Sequence, residues 1–339
     1  MIHSNLSGPG LEIKAIATCD FKAMDSVSNA DLLTRLGKKG SSRIENFIES
    51  EMGIKHRYFC KKDQNSLDLA RSALSKLVKE TPSLIDDAEF FILAGISNPM
   101  PVTTTSALLS GEFGFKNASC WDVKSGCSSG VLALIQAMQW INMGASNGVI
   151  VCTETLSKYS NPEILQMSAS IGDGAAAFHV TASEKWRVKG MVHGTDSSLV
   201  KGMMVEGTFP IDIAHYNPLD YYYTFDQKPQ GIEAIGKYWV QSLQNLLQAS
   251  DISPSDVKHY IPHQIDAAKN ANIAKACGIS SDAVAKNIEQ YGNMGCPTAF
   301  INYHEWFKKG QHVPASGDAL ILHAVGGGVS WAGVCLQYE

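Results

Sequence analysis

This chain of 339 residues has no excess of basic residues, no long apolar run and no closely paired cysteines, and each lack removes a class of function. Its formal charge is −5, and no stripe of lysine or arginine with interleaved aromatics crosses it, so no nucleic-acid partner is expected. No apolar stretch approaches the ~20 residues needed to span a bilayer, so membrane insertion is not expected either. The opening Met1-Ile2-His3-Ser4-Asn5-Leu6-Ser7 has neither a basic start nor an apolar centre, and the chain reads as cytoplasmic. The 8 cysteines (19, 60, 120, 127, 152, 277, 296 and 335) are scattered with no C-x-x-C, the pattern of reduced thiols rather than of a disulfide scaffold or zinc site. A metal-ligand cluster, a P-loop and a G-x-G-x-x-G opening a helix after a strand are also missing. The expected chemistry therefore uses no metal and no cofactor.

What is present is ordinary globular composition, 45% hydrophobic and 18% charged, in a chain long enough for a sizeable core. Short apolar or β-branched runs alternate with longer helical patterns, which predicts an α/β fold with buried sheets. The runs predict strands over 13–18, 90–95, 119–123, 148–152, 175–180, 186–193, 257–262, 319–324 and 329–336. Helices are predicted over 66–81, 104–113, 128–143, 231–249, 266–277 and 297–308. The two halves echo each other. Phe91-Ile92-Leu93-Ala94-Gly95 and Tyr260-Ile261-Pro262-His263-Gln264 each lead into a helix, and the interval from Cys127 to Gly144 equals that from Asn293 to Gly310. A duplicated pair of units, 1–184 and 185–339, follows, with the cysteine and asparagine loops at pseudo-symmetric positions. The segment 202–230, with its run Tyr221-Tyr222-Tyr223-Thr224-Phe225, has no counterpart in the first half and reads as an insertion capping the site or a dimer interface.

Three short segments carry the chemistry: Ser125-Gly126-Cys127-Ser128-Ser129-Gly130, Pro262-His263-Gln264 and Tyr291-Gly292-Asn293-Met294-Gly295. Cys127 follows a strand and begins an apolar helix, whose free N–H groups favour thiolate over thiol. His263 follows a strand and could pair with the cysteine or donate to a thioester oxygen. Asn293, set between glycines, can offer a second neutral donor, and two donors on one oxygen stabilise an enolate. Gly326-Gly327-Gly328 interrupts an apolar stretch, so something requires that space. A backbone N–H here could complete an oxyanion hole with that of Cys127.

With these residues in place, the sequence resembles the thiolase-fold condensing enzymes, most closely the β-ketoacyl-acyl carrier protein synthase III type. The markers are Asp122-Val123 before Cys127, Ile171-Gly172-Asp173-Gly174-Ala175, Pro262-His263-Gln264, Tyr291-Gly292-Asn293 and Gly326-Gly327-Gly328-Val329-Ser330-Trp331. The resemblance implies a thiolase-like fold with two similar halves stacked as an αβαβα sandwich, a homodimer, and an acyltransferase working in two steps. Cys127 would accept an acyl group, with the N–H groups of Cys127 and Gly327 as oxyanion hole. His263 and Asn293 would then hold malonyl-acyl carrier protein as it loses carbon dioxide and condenses. Acyl carrier protein or acyl-coenzyme A is the implied partner. Gly326 and Gly328 would line the substrate site.

The departures from the family pattern matter equally. Phe47 and Glu51 stand where fatty-acid-initiating members carry a tryptophan and an arginine that grip coenzyme A, and Leu165 replaces another arginine at the pocket mouth. Asp266 and Ala268 replace an asparagine and a carrier-protein-docking arginine. A carboxylate in place of a guanidinium turns attraction for phosphate into repulsion. An acyl chain delivered by a carrier protein, in a specialised lipid or polyketide pathway, is therefore expected. Met100 takes the position that reaches across the dimer to bound the partner's acyl pocket, where its flexibility suits a longer chain. Two alternatives remain at this point: an acyltransferase of the same fold delivering to oxygen or nitrogen, and a non-catalytic subunit of a heterodimeric synthase.

Overall fold

A computed structural model describes residues 10–161, 164–225, 229–309 and 312–339. The Met1–Ser7 opening, residues 226–228 of the 202–230 segment and Gly310 lie outside the described residues. In chain order the strands are β1 (Gly10–Thr18), β2 (Asp25–Ser28), β3 (His56–Phe59), β4 (Phe90–Ala94), β5 (Ser119–Val123), β6 (Asn147–Thr155), β7 (Asp173–Ser183), β8 (Trp186–Thr195), β9 (Met203–Val205), β10 (Tyr223–Phe225), β11 (Val257–Pro262), β12 (Ala319–Gly326) and β13 (Ser330–Tyr338). The helices are α1 (Asn29–Arg35), α2 (Ser42–Ser50), α3 (Ser66–Glu80), α4 (Leu84–Asp87), α5 (Thr105–Phe113), α6 (Ser129–Asn142), α7 (Leu165–Ser170), α8 (Pro229–Ser250), α9 (Ala267–Ala276), α10 (Ile288–Tyr291) and α11 (Thr298–His304).

Two sheets form the frame, in the orders β1-β7-β6-β4-β5 and β11-β12-β13-β8. In the first, β4 runs parallel to β5 and β6, β6 antiparallel to β7, and β7 antiparallel to β1. The second repeats this scheme: β11 is parallel to β12, β12 antiparallel to β13, and β13 antiparallel to β8. The counterpart of β5 shrinks to one bridge, Tyr260 to Val284, with the Ala285 N–H donating to the Tyr260 carbonyl at 2.9 Å.

Side-chain alternation sorts the layers. In β4, Phe90, Ile92 and Ala94 face the space between the sheets, while Phe91 and Leu93 face outward onto Leu67, Ala70, Leu74 and Leu77 of α3 and Leu109 of α5. In β12, Leu320, Leu322 and Ala324 face inward, and Ala319 and Ile321 pack on Trp239, Leu243 and Leu246 of α8 and Ile273 of α9. The central layer is α6 and α11, and Phe300 of α11 stacks on Phe178 of β7 with centroids 4.3 Å apart. α6 is apolar nearly all round because it has a sheet on either side. The order helix, sheet, helix, sheet, helix is the expected αβαβα sandwich of the thiolase-like fold.

Smaller elements roof this frame. The antiparallel β2–β3 pair, α1, α2 and α7 share a cluster built on Val27, Leu32, Ile48, Ile54, Ala169 and Ile288. The 202–230 segment supplies β9 and β10, which pair as an antiparallel ladder tied down by the Tyr223 N–H to the Tyr159 carbonyl at 2.8 Å. The helix expected over 297–308 stops at His304 and continues as a π-helical turn, Glu305–Lys309.

Candidate active site

Cys127 sits in the turn between β5 and α6, one residue before Ser128, the residue that precedes the first turn of the helix. The neighbouring serines knit this turn. Ser128 Oγ donates to the Ser125 carbonyl at 2.7 Å, Ser129 Oγ to that of Gly126 at 2.7 Å, and Ser330 Oγ reaches the Ser125 carbonyl from the opposite half at 2.9 Å. Asp122, at the end of β5, caps α5 through the N–H groups of Thr105 and Ser106, both at 2.8 Å. The glycine run is needed for close approach: a β-carbon on Gly326 would lie 2.5 Å from the backbone nitrogen of Cys127.

The thiol is not the thiolate expected from the helix N-terminus. Burial first, and the charge of Glu154 second, push Cys127 up to about 12, although the backbone N–H groups of Gly327 and of Cys127 itself pull it down. Those two N–H groups are the pair expected as the oxyanion hole.

His263 lies just past β11, gripped by its backbone: its N–H donates to the His323 carbonyl and its own carbonyl accepts from Asn270 Nδ2, each at 2.8 Å. Trp239 of α8 lies parallel to the imidazole, 5.9 Å away with an interplanar angle of 4°. Both ring nitrogens are buried without a partner in good hydrogen-bond geometry among the described residues. Burial pushes the imidazole down to about 3 against a weaker upward pull from the Gly295 backbone, so the ring is neutral at physiological pH. Next to it, Gln264 ties the histidine loop to the asparagine loop. Its Oε1 accepts from Ile288 N–H at 3.0 Å and its Nε2 donates to the Ala285 carbonyl at 3.2 Å.

Asn293 is stitched to the first half by its backbone: its N–H donates to the Ser170 carbonyl at 2.7 Å, and its carbonyl accepts from Gly172 N–H at 2.9 Å. Its side-chain Oδ1 accepts from Gly295 N–H at 2.8 Å, which commits the oxygen and leaves the NH₂ end as a donor. Gly295 itself packs against a carboxyl: a β-carbon there would lie 3.0 Å from Cγ of Glu154.

Cys127, His263 and Asn293 line one cavity of about 310 Å³, together with Gly326 and Gly327. Met52, Met167, Met203 and Tyr223 supply much of the apolar wall, and Phe47, Glu51, Asp266 and Lys269 also line it. Asp266 has a structural duty as well, capping α9 through Lys269 N–H at 2.7 Å and pairing with Lys269 Nζ at 2.9 Å. Met100, Leu165 and Gly328 are not among the lining residues. Leu165 packs on the roof cluster, and Met100 is exposed. The sequence reading overlooked Trp239, which carries no local signal inside an amphipathic helix. It also overlooked Glu154, whose signal is legible: a carboxylate closing the apolar run Val149-Ile150-Val151-Cys152 is a buried charge needing a reason.

Residues 121–197 match the family described as 3-oxoacyl-(acyl-carrier-protein (ACP)) synthase III, and residues 247–338 match its C-terminal part. These matches support a thiolase-superfamily condensing enzyme similar to the 3-oxoacyl-(acyl-carrier-protein) synthases III. A β-ketoacyl-(acyl-carrier-protein) synthase III of Neisseria gonorrhoeae is 24% identical, with 100% of each chain covered. Among solved structures, the 3-oxoacyl-(acyl-carrier-protein) synthase III of Aquifex aeolicus superposes with a TM-score of 0.82 at 24% identity, covering 98% of this chain and 100% of the other. The priming β-ketosynthase of the R1128 polyketide biosynthetic pathway gives 0.84 at 18% identity, covering 98% and 97%. This condensing enzyme is thus an acyl-transferring enzyme with the thiolase-like fold.

Proposed function

We propose that this condensing enzyme joins an acyl group held on Cys127 to malonyl-acyl carrier protein, giving a β-ketoacyl thioester for a specialised lipid or polyketide pathway. The observation that carries this is the single cavity shared by Cys127, His263 and Asn293, with the glycine loop packed against the backbone of Cys127. In loading, Cys127 Sγ bonds to the acyl carbon, the tetrahedral oxygen is held by the N–H groups of Cys127 and Gly327, and the donor's thiol leaves with the proton. In condensation, the malonyl C–C bond breaks to release carbon dioxide. The electron pair passes to the thioester oxygen, where His263 and the Asn293 NH₂ donate. The enolate carbon then attacks the acyl carbon, and Cys127 leaves and is reprotonated. A neutral imidazole suits this role, because it donates one hydrogen bond without protonating the carbanion.

The mouth of the cavity favours a carrier protein over coenzyme A as donor. Lys269 is paired with Asp266, and among the described residues Glu51 forms no ion pair, so the lining carries a carboxylate that would repel a nucleotide's phosphates. A homodimer is supported by β5, which ends its sheet beside a half-exposed Trp121–Trp140 stack, and by the exposed Met100 and Val102 nearby. The repeated sheet scheme supports reading 1–184 and 185–339 as duplicated halves. Intact-mass measurement after incubation with matched acyl-carrier-protein and acyl-coenzyme A donors tests the reading, with Cys127→Ala as control. A Cys127-dependent adduct, larger from the carrier protein, is expected; no adduct from either donor refutes it.

A further inference from the structure

Arg57 of β3 is fully buried, and among the described residues its hydrogen-bond partners are neutral. Nη1 donates to Asn29 Oδ1 and Nη2 to the Ala169 carbonyl, each at 2.7 Å, while Nε has no partner. Asn29 is itself fixed, its Nδ2 donating to the Ile54 carbonyl at 2.9 Å. Burying a charge against neutral groups is costly, and an apolar side chain of similar length would fill the space without that cost. What it would lack is the planar fork that grips two oxygens at once.

The second of those oxygens leads to the active site. Ala169 lies in the last turn of α7, where helix carbonyls have no intrahelical donor. Its neighbour Ser170 accepts the Asn293 N–H at 2.7 Å, and Gly172 N–H donates to the Asn293 carbonyl at 2.9 Å. Asp173, the far end of this strip, accepts the Cys60 N–H on Oδ2 at 2.9 Å. Residues 169–173 are therefore held at both ends from β3 and the residue after it, with Asn293 laddered between the two holds. The same strand touches the asparagine loop itself. Lys55 N–H donates to the Glu289 carbonyl of α10 at 2.9 Å, and the Tyr58 ring packs on that of Tyr291 with centroids 5.7 Å apart. Strip and loop meet with no room to spare, because a β-carbon on Gly172 would lie 2.1 Å from the Tyr291 carbonyl oxygen and 3.5 Å from Cβ of Arg57. None of these bonds involves the cysteine turn, which is knit by Ser128, Ser129 and Ser330.

We propose that Arg57 is a positioning residue for the second half of the reaction: its guanidinium anchors the 169–173 strip on which Asn293 is laddered, so that the Asn293 amide is aimed at the thioester oxygen during decarboxylation, and it takes no part in the acylation of Cys127. The inference rests on the reading of Asn293 as the donor to that oxygen. It makes the two half-reactions separately sensitive, one to the serines around Cys127 and the other to a buried arginine on the far side of α7.

Arg57→Met keeps the length of the side chain and removes the fork. Carbon dioxide release from malonyl-acyl carrier protein should fall about 10²-fold, the cost of a misplacement of about 1 Å, while acylation of Cys127 stays within about threefold of the parent. Arg57→Lys keeps the charge but reaches only one oxygen as a point charge, and should recover part of the lost rate. Hydrogen exchange followed by mass spectrometry needs no substrate. In Arg57→Met the peptides carrying the Gly172 and Asn293 N–H groups should exchange faster, and the peptide spanning 125–130 should not. A merely structural role would lower both half-reactions alike. Folded Arg57→Met that decarboxylates within about threefold of the parent, acylation that falls in step with decarboxylation, or unchanged exchange at Gly172 and Asn293 overturns the proposal. If Arg57→Met does not fold, Asn29→Ala, which frees one arm of the fork, is read by the same comparisons with about a tenfold loss expected in decarboxylation. If exchange behaves as expected and the parent enzyme releases no carbon dioxide from malonyl-acyl carrier protein, the proposed function fails and the bracing by Arg57 stands.

Discussion

Adding one methyl group at Gly326 should disable acyl transfer while leaving the protein folded. The new β-carbon would lie 2.5 Å from the Cys127 nitrogen and 3.2 Å from the Gly126 carbonyl carbon, both backbone atoms with no rotamer to yield. Relief requires the glycine loop to retreat by a large fraction of an ångström, carrying the Gly327 N–H with it. Loss of one such donor costs about 10²–10³ in rate, equivalent to about 2.7–4 kcal/mol of transition-state stabilisation. The packing strain in the ground state is smaller, about 1–3 kcal/mol. Gly328→Ala is the matched comparison, because its φ of +88° strains any side chain while no atom lies within 4 Å of the new one. It should lose stability without losing the donor. The assay is single-turnover acylation of Cys127 by quenched intact-mass measurement, with thermal unfolding alongside. Acylation by Gly326→Ala within threefold of the parent would refute the argument that backbone approach at this glycine sets the oxyanion site.

Asn293→Ala should retain Cys127 acylation but lose about 10²–10³ in decarboxylative condensation, measured as carbon dioxide release. Ser242→Ala removes the partner of buried His323 Nε2 at 2.8 Å outside the cavity. It should therefore destabilise the fold by about 1–3 kcal/mol in denaturant unfolding with loading unchanged. Stability should also fall on acidification. His263 and His323 are held down to about 3 and His179 to about 4 by burial, so each favours the folded state at neutral pH. That contribution is complete above the unfolded value near 6.5, declines as pH falls below it and is spent near the folded values, a loss of about 2 kcal/mol per histidine by pH 5. A flat melting temperature between pH 7 and 5 would contradict it.

Several elements of the frame were legible in the sequence. β5 and β11 carry the bounds predicted for them, and α6 is read to within a residue at each end because nothing polar interrupts Val131–Ile135. The roof was not legible. α1, α2 and α7 are short, and Leu32, Ile48 and Ala169 acquire a common purpose only when folded together. The glycine run was rightly taken to need space, although the occupant is the backbone of Cys127. The charge of Cys127 was misread for a reason of magnitude. A helix terminus contributes about 0.3–1 kcal/mol, whereas a rise from 9.0 to about 12 represents about 4 kcal/mol from burial and Glu154, and the sequence around Cys127 shows neither its burial nor its nearness to that carboxyl.

The cavity is built from two materials. Part of its wall is main chain: Gly326 against Cys127, Asn293 laddered to Ser170 and Gly172, and His263 clasped by His323 and Asn270. The rest is side chain, including the methionines 52, 167 and 203 with Tyr223 and Phe47. Packed main chain with its hydrogen bonds satisfied yields slowly, whereas side chains change rotamer on the nanosecond scale where they are exposed. Substitutions in the side-chain wall should therefore change the cavity's volume and shape, whereas substitutions in the main-chain wall should change how the groups around Cys127, His263 and Asn293 are aimed.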